Sequence, residues 1–331
     1  MISHKRAIRH SFHALGGLHL VRYLNRRRVR ILMYHRFARA EEASFRRQCA
    51  YVARHYHAVS LGETVAALHG GPSLPDDATI ITVDDGYRDF YEVAYPVLRT
   101  YGLPATVFLV TDFVDGKDWL WLDKVRYCVR RTRTPRLELR LPAGPLMRFE
   151  LTSDAERETA ISVIKEAAKK LPNEARLAAI RELAQALETD LPVAAPDEYA
   201  PLSWEMVGTM SRSGIEFGAH TRRHPILTRM ESETRMREEI VGSKTRLEEV
   251  MQAPVRHFSY PNGEWDERTD RLVRQAGFRS AVTVCPGLNP VRPDPFHLRR
   301  ISIEPKWSDS DFRHYSAGSI LKTIRNHEHE A

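Results

Sequence analysis

The sequence predicts an α/β fold in which parallel strands alternate with helices, and three observations predict it. Seven short, apolar, β-branched runs recur along the 331 residues, amphipathic helical patterns lie between most of them, and the strands are near-continuously apolar, which implies burial on both faces. The strands fall at 29–34, 79–83, 106–110, 215–219, 256–260, 280–284 and 299–303. Helical periodicity covers 44–55, 89–101, 203–213, 232–251 and 266–276, several of these opening at a Ser or Asp suited to capping the first turn.

One segment breaks the alternation. From 115 to 200 the chain carries Trp119-Leu-Trp121, a polar hairpin pattern around 137–151, and Ser153 with Glu156, a capping box that opens a helix. Pro172 stops that helix, a second runs to about 188, and a Pro-containing linker covers 191–201. The expected organisation is a basic arm over 1–28 and one domain over 29–331, interrupted by a mostly helical insertion at about 115–200.

Charge is unevenly spread. The chain has 50 Lys+Arg against 43 Asp+Glu, for a net charge of +7, yet one Lys and nine Arg precede the first acidic residue, Glu41. Those ten exceed the whole surplus and leave the other 291 residues close to neutral. A nucleic-acid protein with a basic stripe across its folded face is disfavoured. The stretch 12–21 is broken by His13 and His19 and runs into Arg22, so a cleaved signal peptide is not expected, and no apolar run approaches the length of a membrane span. Cys49, Cys128 and Cys285 give neither a disulfide framework nor metal spacing; they read as packing residues of a protein in a reducing compartment, the cytoplasm. The basic arm allows peripheral contact with an anionic membrane through residues 1–40.

The reactive residues cluster at strand ends. His35 follows the first strand, Asp84 and Asp85 the second, His220 the fourth, Pro261-Asn262-Gly263 the fifth and Cys285-Pro286-Gly287 the sixth. In a parallel β/α barrel these C-terminal ends form one rim, where active sites are built. His220 and His224 can point the same way from a helical turn or tight loop, and with a carboxylate they make a set that holds a divalent metal with positions left open. Adjacent carboxylates at a strand end point in different directions, so one can ligate while the other acts as a base. The alternative for the pair is capping of the following helix.

Thr82-Val-Asp-Asp-Gly86 resembles the Thr-Phe-Asp-Asp-Gly motif of the polysaccharide deacetylases, the NodB-homology family also called carbohydrate esterase family four. His220-Thr-Arg-Arg-His224 resembles that family's His-Ser/Thr-x-x-His motif, and Phe258-Ser-Tyr-Pro-Asn-Gly263 is similar to its Phe-Ala-Tyr-Pro-Tyr-Gly variant. Leu32-Met-Tyr-His35 resembles the start of one branch. The resemblance spans about 30–303 and implies a distorted (β/α)7-8 barrel of the NodB type. It implies that Asp85, His220 and His224 hold one divalent cation, most simply Zn²⁺, and that Asp84 is the general base on water attacking the N-acetyl group of an amino sugar. The backbone N–H of Asn262 would stabilise the oxyanion, with Tyr260 and Pro261 against the substrate. The implied substrate is an N-acetylated polysaccharide or glycolipid.

Departures from the pattern matter. The arginine that other branches carry in the third motif is Ser259 here, so Arg299 or Arg300 on the last strand is expected to position Asp84; Arg299 is also a candidate substrate contact. The family's late-strand His is absent. His297 precedes the last strand and falls at its wrong end, which leaves His35 as the candidate general acid. Trp121 is a candidate sugar-stacking residue, although indoles more often anchor an insertion. Arg222 and Arg223 suit either an anionic substrate group or a solvated loop. Two alternatives stand beside the deacetylase reading: an amidohydrolase on a small cyclic amide or formamide, and a non-catalytic saccharide-binding relative.

Overall fold

The computed structural model describes residues 17–318. In chain order its strands are β1 Arg30–Tyr34, β2 His57–Ala58, β3 Ala78–Val83, β4 Thr106–Leu109, β5 Arg136–Arg140, β6 Leu146–Glu150, β7 Glu216–Ala219, β8 His257–Ser259, β9 Ser280–Pro286 and β10 Leu298–Ser302. Seven of them close in the order β1-β3-β4-β7-β8-β9-β10, every pair parallel, with β1 set between β3 (Leu32 opposite Ile81) and β10 (Leu32 opposite Ile301). These are the seven apolar runs of the sequence. The two-residue β2 adds to the first half of β3.

The helices are α1 Gly17–Asn25, α2 Glu42–His55, α3 Leu61–Leu68, α4 Tyr95–Thr100 after a π turn at Phe90–Ala94, α5 Thr111–Val114, α6 Trp121–Arg131, α7 Asp154–Lys169, α8 Asn173–Ala186, α9 Trp204–Ser211, α10 Glu233–Met251, α11 Glu267–Gln275 and α12 Asp309–Ala317. Strand side chains alternate between two cores. Ile31, Ile80, Phe108, Val282 and Leu298 form one buried cluster with Leu61 and Val65, so α3 covers the N-terminal end of the barrel. Their neighbours Leu32, Ile81, Val107, Leu109 and Ile301 belong to the larger cluster under the surrounding helices.

The 115–200 segment has a core of its own. Trp121, Val125, Val129, Leu137, Leu139, Ile161, Ile164, Ile180 and Leu183 pack α6, α7 and α8 against the antiparallel hairpin β5–β6. The capping box is formed: Ser153 Oγ accepts the Glu156 N–H at 3.3 Å and Glu156 Oε2 accepts the Ser153 N–H at 2.9 Å. Such a cap is worth about 1 kcal/mol.

Two expectations change. A detached arm over all of 1–28 is not what the chain forms from Gly17 onward, because α1 turns its polar side inward. Arg22 reaches the His55 carbonyl and Asp77, and Asn25 Nδ2 donates to the Ala317 carbonyl at 3.2 Å. Residues 1–16 lie outside the described residues. Cys285 is exposed, unlike the buried Cys49 and Cys128, so it is not a packing residue. Among the described residues no helix is long and apolar enough to cross a membrane.

Candidate metal centre and catalytic cleft

At the end of β3 the backbone turns abruptly. The Asp84 N–H donates to the Tyr34 carbonyl at 3.0 Å, after which Asp85 and Gly86 take φ values of 78° and 91°. A Cβ at position 86 would lie 2.6 Å from Leu109 Cδ2, so this turn needs glycine on both counts. The left-handed conformation at Asp85 costs an order of 1–3 kcal/mol, of the kind stored at functional sites. It also separates the two carboxylates, and neither caps the following helix: Asp84 turns into the barrel and Asp85 toward the rim.

Asp84 is 2 % exposed and meets the fully buried Arg300 of β10 in a fork, Nη1 to Oδ1 and Nη2 to Oδ2, both at 2.7 Å. Ser259 Oγ adds a donor to Oδ2 at 3.3 Å, and Arg300 Nε is fixed on the Thr283 carbonyl at 2.8 Å. Burial pushes the Asp84 carboxyl upward, but the Arg300 charge and its two hydrogen bonds outweigh it and hold the group well below the usual carboxylate range. Asp84 is therefore ionised at any working pH.

Asp85, His220 and His224 bring one ligand atom each to within 4.8 Å of one another, and all three are buried. Asp85 Oδ1 is 3.6 Å from both His220 Nε2 and His224 Nε2. His220 Nδ1 pairs with the Ser259 carbonyl at 2.7 Å, which as the donor in that bond leaves Nε2 as a lone pair aimed at the cluster. Burial lowers His220 to about 4 and His224 further, so both rings are neutral near pH 7. Burial and the neighbouring Asp84 push Asp85 upward, and no donor among the described residues reaches Asp85 Oδ1. An orphaned buried carboxylate facing two neutral imidazoles is the donor set that a divalent cation satisfies.

The histidine loop is a tight turn, with Thr221 and His224 at φ 66° and 59°. Thr221 Oγ1 accepts the His224 N–H at 3.0 Å. Glu239 of α10, also buried, accepts the N–H groups of Arg222 and Arg223, both at 2.9 Å. Both arginine side chains go to Asp112, at 3.3 and 3.0 Å. Both side chains are held on a carboxylate of their own protein, Arg222 half-buried and Arg223 largely exposed to solvent.

The cluster lies in a cleft of about 810 Å³ whose walls include His35, Asp84, Tyr260, Asn262 and, from the insertion, Asp123 and Lys165. His35 Nε2 stands 4.0 Å from Asp84 Oδ2. Asn262 takes φ 58°, with its side chain on Glu264 at 2.7 Å, and Pro261 is buried beside it. Tyr260 is buried, its hydroxyl directed to Asp270 at 3.5 Å. Two candidates fall elsewhere. Trp121 sits in the insertion core with the Arg176 guanidinium 4.8 Å from its ring, so it has no face for a sugar. Arg299 points out of the barrel and lines a separate depression with Arg28 and Asn289, because Leu298 and Arg300 occupy the inward positions of β10. His297 stacks on Trp265 with centroids 3.6 Å apart, away from the cleft.

Reading from sequence passed over Glu239, whose burial depends on which loop crosses α10, and Asp123, which receives the Tyr87 hydroxyl and, at 3.0 Å, Arg126.

Residues 72–142 and 151–281 match the family described as polysaccharide deacetylase, with the break covering the β5–β6 turn and β6. The chain belongs to the polysaccharide deacetylase family. It is 35 % identical over 81 residues to the poly-beta-1,6-N-acetyl-D-glucosamine N-deacetylase of Escherichia coli (strain K12), which covers 24 % of this chain and 12 % of that protein. It is 21 % identical over 240 residues to YxkH of Bacillus subtilis (strain 168), covering 72 % of this chain and 56 % of that one. The chain thus spans only part of either relative. Among solved structures, the Streptococcus pyogenes deacetylase PplD in complex with acetate covers 90 % of this chain and 98 % of its own at 19 % identity, with a TM-score of 0.56. IcaB from Ammonifex degensii covers 88 % and 96 % at 18 % identity, also with a TM-score of 0.56. At these identities the likeness to both structures is one of fold: the distorted β/α barrel.

Proposed function

We propose that this polysaccharide deacetylase family member is a hydrolase that removes N-acetyl groups from amino sugars of a polysaccharide or lipid-linked glycan. The observation that carries it is the pairing of an ionised, Arg300-clamped Asp84 with the orphaned Asp85–His220–His224 set in one cleft. The three ligands would hold one divalent cation, most simply Zn²⁺. That cation, when bound, supplies Lewis-acid polarisation of water and of the amide carbonyl.

The chain's own residues do the rest. Asp84 accepts the proton of the attacking water, its orientation fixed by Arg300 and Ser259. Asn262 offers its main-chain N–H to the developing oxyanion from a left-handed turn on the cleft wall. His35, at the cleft wall near Asp84, gives a proton to the departing amine. The non-catalytic reading drew on the missing third-motif arginine and the missing late-strand His; Arg300 reaches Asp84 from another strand in the arginine's place, and His35 is the proposed donor in place of the His. A cytoplasmic location belongs to the same proposal and is checked by fractionation.

Asp84→Asn should retain stoichiometric metal and lose acetate release from N-acetylglucosamine oligomers by about 10²–10⁴-fold, the usual worth of a general base. His220→Ala should lose the metal. Equal hydrolysis by the Asp84 variant would sink the base assignment, and turnover of small cyclic amides or formamides in preference to the oligomers would move the substrate.

A further inference from the structure

Among the described residues, the end of the barrel opposite the cleft carries an exposed apolar helix face near several arginines that make no ion pair. α1 is built inside out. Val21, Arg22, Asn25 and Arg28 face the protein, while Leu20, Tyr23 and Leu24 are 54, 61 and 39 % exposed at the i, i+3, i+4 spacing of one helix face. Arg27, in the turn that follows α1, is exposed. α1 leads into the start of β1, so it lies at the N-terminal end of the strands, away from the metal ligands at their C-terminal ends.

The same end carries more unpaired positive charge. Arg256 immediately precedes β8 and Arg279 immediately precedes β9, and residues just before parallel barrel strands share one rim. Both are exposed. Arg292 lines a groove of about 870 Å³ with Arg27 and Asp76, the latter just before β3, and Val291 beside it is 61 % exposed. Arg27, Arg256, Arg279 and Arg292 make no ion pair among the described residues. The sequence leading into α1 adds Lys5, Arg6 and Arg9, with Ile2 before them, Ile8 between them, Phe12 and Leu15 after them, and no acidic residue.

We propose that this end of the molecule is a docking surface for an anionic lipid bilayer, with Leu20, Tyr23 and Leu24 entering the interface and the unpaired arginines meeting the headgroups. Apolar burial and several cations act together, as reversible peripheral binding requires. A second copy of the chain does not suit this face, since it would bring like charges together. Docked this way, the protein turns its cleft away from the lipid.

Full-length protein sedimented with vesicles of phosphatidylglycerol and phosphatidylcholine in equal amounts should pellet at low salt, stay in solution with phosphatidylcholine alone, and be released at high salt. The Leu20→Ser/Tyr23→Ser/Leu24→Ser variant replaces only exposed side chains and should bind at least tenfold more weakly with an unchanged circular dichroism spectrum. Arg256→Gln/Arg279→Gln/Arg292→Gln should bind more weakly and with a shallower salt dependence. Binding of the triple-Ser variant equal to the parent would overturn the proposal, leaving residues 1–16 as the contact. So would absence of pelleting with anionic vesicles, or a dimer of the parent that the triple-Ser variant dissolves.

Discussion

Arg300 is the residue on which the electrostatics of the cleft depend. Its guanidinium is fully buried, and four of its five hydrogen bonds end on Asp84, Ser259 and Thr82, so charge and geometry serve one carboxylate. Removing one partner of a buried pair leaves an uncompensated charge, which costs about 3–5 kcal/mol. Arg300→Met should therefore lower stability by that order, read from the denaturant midpoint, whereas Arg299→Met should leave it within about 0.5 kcal/mol. The sequence left both arginines open. The period of two along β10 separates them, because Leu298 faces inward and position 300 shares its face. The clustering of Asp85, His220 and His224 was legible for a different reason: each lies within five residues of a recognisable strand end. Trp121 was not, since the side on which an indole lies depends on packing across a separate core.

At the scale of elements, the histidine loop and α10 work as one unit. Two left-handed residues hold His220 and His224 on the same side, and Glu239 ties the intervening N–H groups to the helix. Outer-shell partners of this kind typically govern 10–100-fold in metal affinity. Glu239→Ala should weaken Zn²⁺ binding by about that factor in a competitive chelator titration, with Glu239→Gln intermediate because it keeps one acceptor oxygen. An unchanged affinity would show that the turn holds itself. The strands and the five main helices could be read from apolar period, but α3, α5 and α12 could not. α5, with four residues, carries too few turns for a period to show, and α3 owes its structure to the barrel end it covers. α1 escaped notice because its polar residues point inward, the reverse of the pattern that marks a surface helix.

For the molecule as a whole, acid should be the destabilising direction. His257 lies at the N-terminal end of β8, 5 % exposed, with Nδ1 on Ser280 Oγ at 2.8 Å, and burial followed by the charges of Arg256 and Arg279 lowers it from 6.5 to about 4. A lowered folded pKa means that the unfolded chain binds the proton first. The stability linked to neutral His257 is thus complete above pH 6.5 and drains away as pH falls toward 4. The loss from this group should reach at most about 3 kcal/mol, and His257→Gln should flatten that stretch of the stability curve; an unchanged curve would remove His257 as its source. The barrel's closure has one more consequence. First and last strands are neighbours, and Asn25 at the end of α1 bonds the final turn of α12, so the helices that carry the two described ends touch. Topologically the molecule is a ring, cut open at one point in sequence. A chain rejoined between Ala317 and Gly17 by a linker long enough to run back along α1, and opened at the turn that holds the exposed Ala143, would contain every contact of the barrel and the cleft, with the order of its motifs rotated. The site therefore requires that its strands be adjacent in space, and is indifferent to which of them comes first in sequence.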